Sequence, residues 1–179
     1  TLKVSAGLGV IPRVVADQTP IYSHRLSIDD ATERLQGFYF PYHNKLKSLI
    51  KETHASFNKV ILLDCHSMPQ SSVKVARKKD PVEVVLGDCF GRSCEYEIVM
   101  ELRNLLTEVG FKVALNNPFS GGFITKNYAS PKNNIHTVQI EISRSLYSHE
   151  KQQIKNNDFS RIQNKLLGAI EDFIKRFAD

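Results

Sequence analysis

The sequence has few cysteines and no long apolar run, and each absence excludes a class of protein. It holds three cysteines and no CxxC pair, which argues against a disulfide-stapled secreted domain and indicates reduced thiols. No apolar stretch approaches the roughly 20 residues that a membrane-spanning helix needs. We therefore expect a cytoplasmic protein without a membrane partner.

The sequence also lacks a nucleic-acid motif, although 24 basic against 19 acidic residues give a net charge of +5. The basic residues cluster only at Lys74, Arg77, Lys78 and Lys79, and no aromatic residues are interleaved with them. We expect no nucleic-acid partner. A solvated basic loop that attracts an anionic substrate is the preferred interpretation.

The length of 179 residues fits one domain with a substantial core, and we predict a single domain over residues 1–179. The hydrophobic fraction of 41% and the charged fraction of 24% are those of an ordinary globular chain. The chain opens at Thr1 and not at methionine, which allows a processed or truncated start. The oligomeric state does not follow from the sequence.

Apolar residues recur at helical spacing in four segments and form short runs in four others. The expected helices cover residues 27–36, 41–57, 93–110 and 159–177, and the expected strands cover residues 60–64, 82–86, 111–115 and 135–142. Residues 1–26 contain glycines and prolines, which interrupt helices and strands, and their apolar residues show no sustained periodicity. We therefore predict an irregular segment there. Strands that alternate with amphipathic helices predict a layered α/β fold.

Helix ends can be read from capping residues. Ser27 is a typical N-cap, and Asp29 and Asp30 follow it in the first turn, where carboxylates complement the helix dipole. Ser93 is predicted to cap the third helix, and Gly110 to end it.

Asp64 and His66 directly follow an apolar run that is typical of a strand buried on both faces. Ligands gather beyond the carboxyl ends of such strands in open α/β sheets. Side chains alternate along a strand, so the two residues share a face if the extended geometry continues, and they then form half of a carboxylate and imidazole metal site. The alternative is a polar turn in which His66 is simply hydrogen-bonded.

Glu141 lies in a strand with clear alternation, which places it with Gln139 on the face opposite three apolar residues. A carboxylate that emerges between isoleucines has a raised pKa, which suits a base near neutral pH. An exposed strand face is the competing interpretation. Arg144 follows, and it either clamps a substrate carboxylate or makes a surface ion pair.

Two loops and a helix start supply further candidates for substrate binding. Asn117, Gly121 and Gly122 follow a predicted strand, and paired glycines permit close approach of the backbone to a ligand. Arg92 lies in a glycine-containing loop before a helix N-terminus, which favours anions but lacks the lysine of a phosphate-binding loop. His43 lies at the start of a predicted helix, and in this interpretation it lines the same substrate-binding cleft as these loops. A plain turn and a structural histidine are the alternatives.

Six motifs in this order resemble the N-formylglutamate amidohydrolase family, and together they cover nearly the whole chain. They are Gly7-Leu8-Gly9-Val10-Ile11-Pro12, Pro41-Tyr42-His43, Asp64-Cys65-His66-Ser67-Met68-Pro69, Leu86-Gly87-Asp88, Asn117-Pro118-Phe119-Ser120-Gly121-Gly122 and Gln139-Ile140-Glu141-Ile142-Ser143-Arg144-Ser145-Leu146-Tyr147.

The resemblance implies a fold, an activity and a site. The family is related to zinc carboxypeptidases, so the implied fold is a three-layer α/β/α arrangement with a mixed, mostly parallel central sheet, similar to phosphorylase/hydrolase folds. The implied activity is hydrolysis of the formyl amide of N-formylglutamate to glutamate and formate, a step of histidine degradation. His66 is then a zinc ligand, Glu141 the general base, and Arg144 a partner of the substrate carboxylates.

The resemblance also implies that part of the site is absent from this sequence. Family members carry a Pro-His-Ser-Gly-like motif and an acidic residue upstream, which supply the other zinc ligands, and no such motif precedes Thr1. A catalytic zinc needs three protein ligands. We therefore expect an N-terminally incomplete domain with one uncovered sheet edge and little hydrolase activity in this form.

Two other functions remain open at this stage. The chain is an inactive or truncated family member that binds a small acidic ligand or a partner without hydrolysis, or it is another zinc-dependent N-acyl amino acid deacylase or carboxypeptidase-like hydrolase. Such a deacylase or hydrolase would use the same metal chemistry as an N-formylglutamate amidohydrolase and would differ only in its substrate pocket.

Overall fold

The computed structural model describes residues 2–15, 18–74 and 81–177. Backbone contacts divide the chain into two compact units, residues 1–52 and 53–179. The second unit contains the central sheet and its packed helices. That residues 1–179 form a single domain stays a prediction.

The first unit has little regular structure before its main helices. Helix α1 is a single turn at Leu2–Ser5, and α2 covers Ile28–Arg34. Ser27 caps α2: its Oγ accepts the N–H of Asp30 at 3.0 Å, and its own N–H donates to the Asp30 carboxylate at 3.2 Å. The predicted cap is therefore confirmed, and α1 is the one helical turn that the prediction of an irregular start missed.

The predicted break between the first two helices is wrong. A π-helical turn at Leu35–Tyr39 joins α2 directly to α3, Phe40–Phe57. Within this turn the N–H of Phe40 donates to the Leu35 carbonyl. Pro41 has no N–H and its ring crowds the carbonyl four residues earlier in a regular α-helix, so the wider turn before it lets the helix continue.

The second unit is built on a four-stranded sheet in the order β1-β4-β2-β3. Its strands are β1 Val60–Met68, β2 Val84–Gly87, β3 Val113–Leu115 and β4 Ile135–Ser143. Strand β4 runs parallel to β1 and antiparallel to β2, and β2 runs parallel to β3. Two of the three pairings are parallel, which confirms the predicted α/β class with a mixed, mostly parallel sheet.

Strand β1 is longer than predicted. The prediction ended it at Asp64, but it pairs with β4 over nine residues, from Val60 opposite Ile135 to Met68 opposite Ser143. Backbone hydrogen bonds to a partner of equal length keep the polar residues extended. His66 is therefore part of the strand and does not lie in a turn beyond it.

Two helices, α5 (Tyr96–Glu108) and α7 (Phe159–Phe177), cover one face of the sheet and form the main core. The bounds of α7 are those predicted from its apolar stripe. The buried members of this core are Val84, Leu86, Cys94, Ile98, Val99, Leu102, Leu105, Leu106, Phe111, Val138, Ile140, Ile162, Ala169 and Phe173. The apolar face predicted for β4 is therefore the face that meets the helices.

Ser93 is not the N-cap of α5, which corrects the prediction. The cap position is Glu95, and the buried Ser93 hydroxyl donates to the Thr137 carbonyl of β4 at 2.9 Å. The Ser93 side chain therefore links the segment before α5 to strand β4 and does not cap the helix. Gly110 ends the helix as predicted, with a φ of +89°.

The remaining elements are short. They are α4 Ser71–Lys74, α6 Phe123–Tyr128, β5 Ser148–His149, β6 Ile154–Lys155 and single 3-10 turns at Pro131–Asn133 and Arg144–Leu146. Helix α4 ends at Lys74, the first residue of the predicted basic loop, and the other basic residues of that loop, Arg77, Lys78 and Lys79, lie outside the described residues. In the described ranges, no helix combines the length and the apolar character needed to cross a bilayer.

We expect Gly87→Ala to lower the free energy of unfolding by about 1–3 kcal/mol, because overpacking carries that cost. A Cβ at Gly87 would lie 2.7 Å from the Ser120 carbonyl carbon and 2.8 Å from the Gly121 nitrogen. Gly168→Ala in α7 is the matched control, since a Cβ there meets nothing within 4 Å and alanine stabilises a helix by about 0.5–1 kcal/mol relative to glycine. Urea unfolding measures both, and equal effects would contradict the close packing at Gly87.

Candidate active site

Four polar side chains lie on one face of the sheet, opposite α5 and α7. Asp64 and His66 belong to β1, and Gln139 and Glu141 belong to β4. The parallel register places Asp64 beside Gln139 and His66 beside Glu141. Neighbouring strands are about 4.8 Å apart, so the four side chains form a compact polar group, here called the polar row.

Asp64 and His66 are in direct contact within the polar row. The distance from Nε2 of His66 to Oδ1 of Asp64 is 3.0 Å. The Asp64 side chain is 11% exposed and that of His66 is 45% exposed. Since β1 stays extended, residues two apart point the same way, which confirms the predicted shared face. Asp64 therefore orients the imidazole ring.

Glu141 is the buried acid of the polar row. One carboxylate oxygen, Oε1, accepts a hydrogen bond from Nε2 of Gln139 at 2.8 Å. The other, Oε2, is buried and has no hydrogen-bond partner among the described residues. Burial raises the pKa of the Glu141 carboxyl, and the charge of His66 and the Gln139 hydrogen bond oppose this rise. This is the raised pKa that the sequence predicts for a base in this strand.

Gln139 is itself held in place by the glycine-containing loop. Its Oε1 accepts the backbone N–H of Gly122, and Oγ1 of Thr125 approaches the same oxygen at 3.5 Å. These contacts fix the amide so that its NH₂ group faces Glu141. Gly122 thus acts on the carboxylate through Gln139.

Gly121 and Gly122 are both tightly surrounded. A Cβ at Gly121 would lie 2.7 Å from Sγ of Cys89, and one at Gly122 would lie 3.2 Å from Oε1 of Gln139. Gly121 also has a φ of +125°, which disfavours other residues. Close packing therefore explains both glycines, and their predicted contact with substrate stays a prediction.

Arg144 follows the end of β4 and is half-buried. Its Nε is buried without a hydrogen-bond partner in the described part of the chain, and its charge favours the ionised form of Glu141. A buried guanidinium N–H that has no partner is costly. The arrangement is consistent with the clamp predicted for Arg144, which stays a prediction.

Asn117 is exposed, and its neighbour Asn116 makes the structural contacts of the loop. Oδ1 of Asn116 accepts the N–H groups of Asp88 and Phe90, and its Nδ2 donates to the Asp88 carboxylate at 2.6 Å. The substrate contact predicted for Asn117 stays a prediction.

His43 and Arg92 lie outside the polar row. His43 is half-buried in the first unit, where its ring contacts those of Tyr39 and Tyr42 at centroid distances of 4.3 and 5.1 Å. Arg92 is exposed in the second unit, and its Nε donates to the Cys89 carbonyl at 3.0 Å. The substrate-binding roles predicted for both residues stay predictions.

The described residues do not by themselves fit a catalytic zinc. Within those residues, no three His, Cys, Asp or Glu side chains lie close enough together to hold a metal ion. A catalytic zinc takes three protein ligands. His66 fits one position of such a set, because metal-bound histidines are commonly oriented by a carboxylate, as Asp64 orients this ring. The zinc-ligand role of His66 therefore stays a prediction.

Sequence reasoning missed Gln139 and Asn116 as positioning residues. Alternation along β4 did place Gln139 on the face of Glu141, so a signal was present. For Asn116 no local signal exists, because its partners Asp88 and Phe90 are more than 25 residues away in the chain.

Comparison with known proteins identifies the relatives of this chain. The family model described as N-formylglutamate amidohydrolase matches residues 1–148. An N-formylglutamate deformylase of Pseudomonas putida is 29% identical over 152 residues, which cover 83% of this chain and 57% of that protein. An N-formylglutamate deformylase of Pseudomonas aeruginosa is 27% identical over 150 residues, with 82% and 56% covered.

Solved structures agree with this result. The crystal structure of an N-formylglutamate amidohydrolase from Ralstonia eutropha JMP134 is similar with a TM-score of 0.89 and 30% identity, covering 98% of this chain and 65% of that one. A gene product of Agrobacterium tumefaciens shares the fold, with a TM-score of 0.61 and 18% identity over 90% of this chain and 61% of that one. The chain thus spans less than two thirds of the length of each of these relatives.

Glu141→Gln tests the burial of the carboxylate through stability. A glutamate in the unfolded chain has a pKa of about 4.3, and burial raises the pKa of the folded Glu141 carboxyl above that value. Between the two pKa values the unfolded protein loses its proton more readily than the folded protein. The free energy of unfolding of the wild type therefore falls, relative to that of the variant, as the pH rises through this range. We expect the variant to be the more stable protein at pH 7 and the difference to vanish near pH 4. Urea unfolding at both pH values measures this.

Glu97→Gln is the matched control, because Glu97 is exposed in the first turn of α5. It should produce no comparable pH-dependent difference. A difference between wild type and Glu141→Gln that stays constant with pH, or that reverses, would contradict a desolvated carboxylate.

Proposed function

The chain belongs to the N-formylglutamate amidohydrolase family, and from this premise we propose that it hydrolyses the formyl amide of N-formylglutamate to glutamate and formate. One observation carries the proposal: the buried carboxylate of Glu141, with Oε2 unpartnered among the described residues, lies in register beside His66. The activities named for its relatives support the choice of substrate.

Glu141 is the proposed general base. The reaction needs a water oxygen to bond to the formyl carbon, the carbon–nitrogen bond to break, and the released nitrogen to gain a proton. Oε2 is the oxygen that takes the proton of the water, because Oε1 is engaged by Gln139. The raised pKa brings the carboxyl closer to neutral pH, where it can both accept the proton and return it to the nitrogen.

Zinc is the proposed cofactor, with His66 as one ligand and the others outside the described residues. A bound zinc would polarise the formyl carbonyl and lower the pKa of a coordinated water. The described residues alone do not complete this site, so their own contribution is to orient the imidazole through Asp64 and to hold the base beside it.

The proposed substrate carries two carboxylates and needs cationic partners. Arg144 is the proposed clamp for one of them, because its charge acts on the Glu141 carboxyl and its buried Nε has no partner in the described part of the chain. A planar guanidinium binds a carboxylate through two parallel hydrogen bonds. A cytoplasmic location belongs to the same proposal.

One observation favours a second candidate, which is binding of a small acidic ligand without turnover. The polar row contributes one imidazole and no three-residue metal group within the described residues. A chain that holds the substrate but does not activate water would fit this geometry.

We expect Glu141→Gln to lower formate release from N-formyl-L-glutamate by about 10²- to 10⁴-fold, the usual contribution of a general base. Formate is measured for the purified chain with zinc in the buffer, and Glu97→Gln should retain wild-type activity. N-acetylglutamate serves as the alternative substrate, because its turnover would point to a broader N-acyl deacylase.

Two outcomes would contradict the hydrolase proposal. One is unchanged formate release by Glu141→Gln. The other is wild-type protein that binds both zinc and N-formyl-L-glutamate by calorimetry but releases no formate, which is the result expected of the ligand-binding alternative.

Metal binding tests the role of His66 separately. We expect His66→Ala to weaken zinc binding by at least about tenfold and Asp64→Asn to weaken it by about 10- to 100-fold, since a carboxylate that orients a ligand histidine contributes that much. Zinc titration against a competing chelator measures both. His149→Ala is the control at an exposed histidine of the same unit, and equal zinc affinity in all four proteins would remove His66 from the metal site.

A further inference from the structure

A concave site lies in the sheet unit, and it is not lined by the polar row. It is a cavity of about 340 Å³ lined by Cys89, Arg92, Ser93 and Lys126. None of the four polar-row residues lines it. Its volume falls at the lower end of the range for small-ligand pockets. We call it the basic cavity.

Two cationic side chains and no acidic one line the basic cavity. Neither Arg92 nor Lys126 has an ion pair among the described residues. Like charges that share one concave surface repel each other, and a bound anion removes that repulsion.

The two acids nearest to Arg92 in sequence are engaged elsewhere. The Asp88 carboxylate accepts from Nδ2 of Asn116 at 2.6 Å and is buried. The Glu95 carboxylate faces the ring of His136, with Oε2 4.0 Å from Nε2. Neither carboxylate lines the cavity, and neither forms an ion pair with Arg92 among the described residues.

Arg92 is held in position before any ligand binds. Its Nε donates to the Cys89 carbonyl at 3.0 Å, which leaves the terminal nitrogens of the guanidinium for another acceptor. The turn that presents it is fixed at its start, because Asn116 accepts the Phe90 N–H and the Ser120 carbonyl accepts the Cys89 N–H. It is fixed at its end by the N–H of Ser93, which donates to the Asp88 carbonyl at 3.0 Å. Preorganisation of this kind lowers the entropic cost of binding.

We propose that the basic cavity binds a small oxyanion, a carboxylate or phosphate group, between Arg92 and Lys126. The guanidinium supplies planar N–H donors and the ammonium a compact charge, a combination that suits both kinds of group. The proposal stands on the charge and shape of the cavity, and it does not depend on hydrolysis at the polar row.

Nuclear magnetic resonance titration of the full chain tests the proposal. Inorganic phosphate and N-formyl-L-glutamate are added separately, each at constant ionic strength with sodium chloride as the reference. We expect one or both to shift the amide signals of residues 89–94 and Lys126, and chloride not to do so. A response to phosphate alone identifies phosphate as the bound group, and a response to N-formyl-L-glutamate alone identifies carboxylate.

Variants decide whether the cavity is the binding site. Arg92→Gln and Lys126→Gln should each weaken the binding about tenfold or more, the loss expected for a charge-assisted hydrogen bond. Lys132→Gln, at an exposed lysine of the following turn, should leave it unchanged. Lys126 is also exposed, so its variant keeps the test valid if Arg92→Gln fails to fold.

The result separates this proposal from the proposed hydrolysis. Glu141→Gln should bind the responding anion as the wild type does, even where formate release is lost. Absence of binding by both probes, or binding that neither Arg92→Gln nor Lys126→Gln weakens, would overturn the assignment of an anion site.

Discussion

The parallel pairing of β1 with β4 is the constraint on which the candidate site depends. Nine consecutive residues of each strand are in register, so Asp64 and His66 lie beside Gln139 and Glu141 although more than 70 residues separate the two segments. A shift of one residue would turn one pair toward the opposite face of the sheet. The apolar residues of β4 that pack under α5 and α7 oppose such a shift.

Burial of Glu141 costs stability and raises the pKa of its carboxyl. Removing a carboxylate from water disfavours its ionised form, and only one of its two oxygens is compensated by a hydrogen bond within the described residues. The compensation comes from Gln139, which is held by the backbone of Gly122. The loop that contains Gly122 thus sets the orientation of the Glu141 carboxylate through Gln139, and one carboxylate oxygen stays without a partner among the described residues.

The loops after β2 and β3 serve the sheet unit in two ways. Close packing of Gly87 against Ser120 and Gly121 brings them together, and the contact of Gly122 with Gln139 reaches the polar row. The turn after β2 also presents Arg92 to the basic cavity. Two chemically different surfaces therefore depend on the same pair of packed loops.

The sequence by itself determined the class of fold, the ends of α7, the cap at Ser27 and the shared faces of the polar residues, because these follow from periodicity and local hydrogen bonding. It predicted wrongly the break before Pro41, the end of β1 and the role of Ser93. Only the tertiary structure decided these points, together with the contact of Gln139 with Glu141 and the cavity between Arg92 and Lys126. Each depends on a partner far away in the chain, and local propensity carries no information about which distant segment supplies that partner.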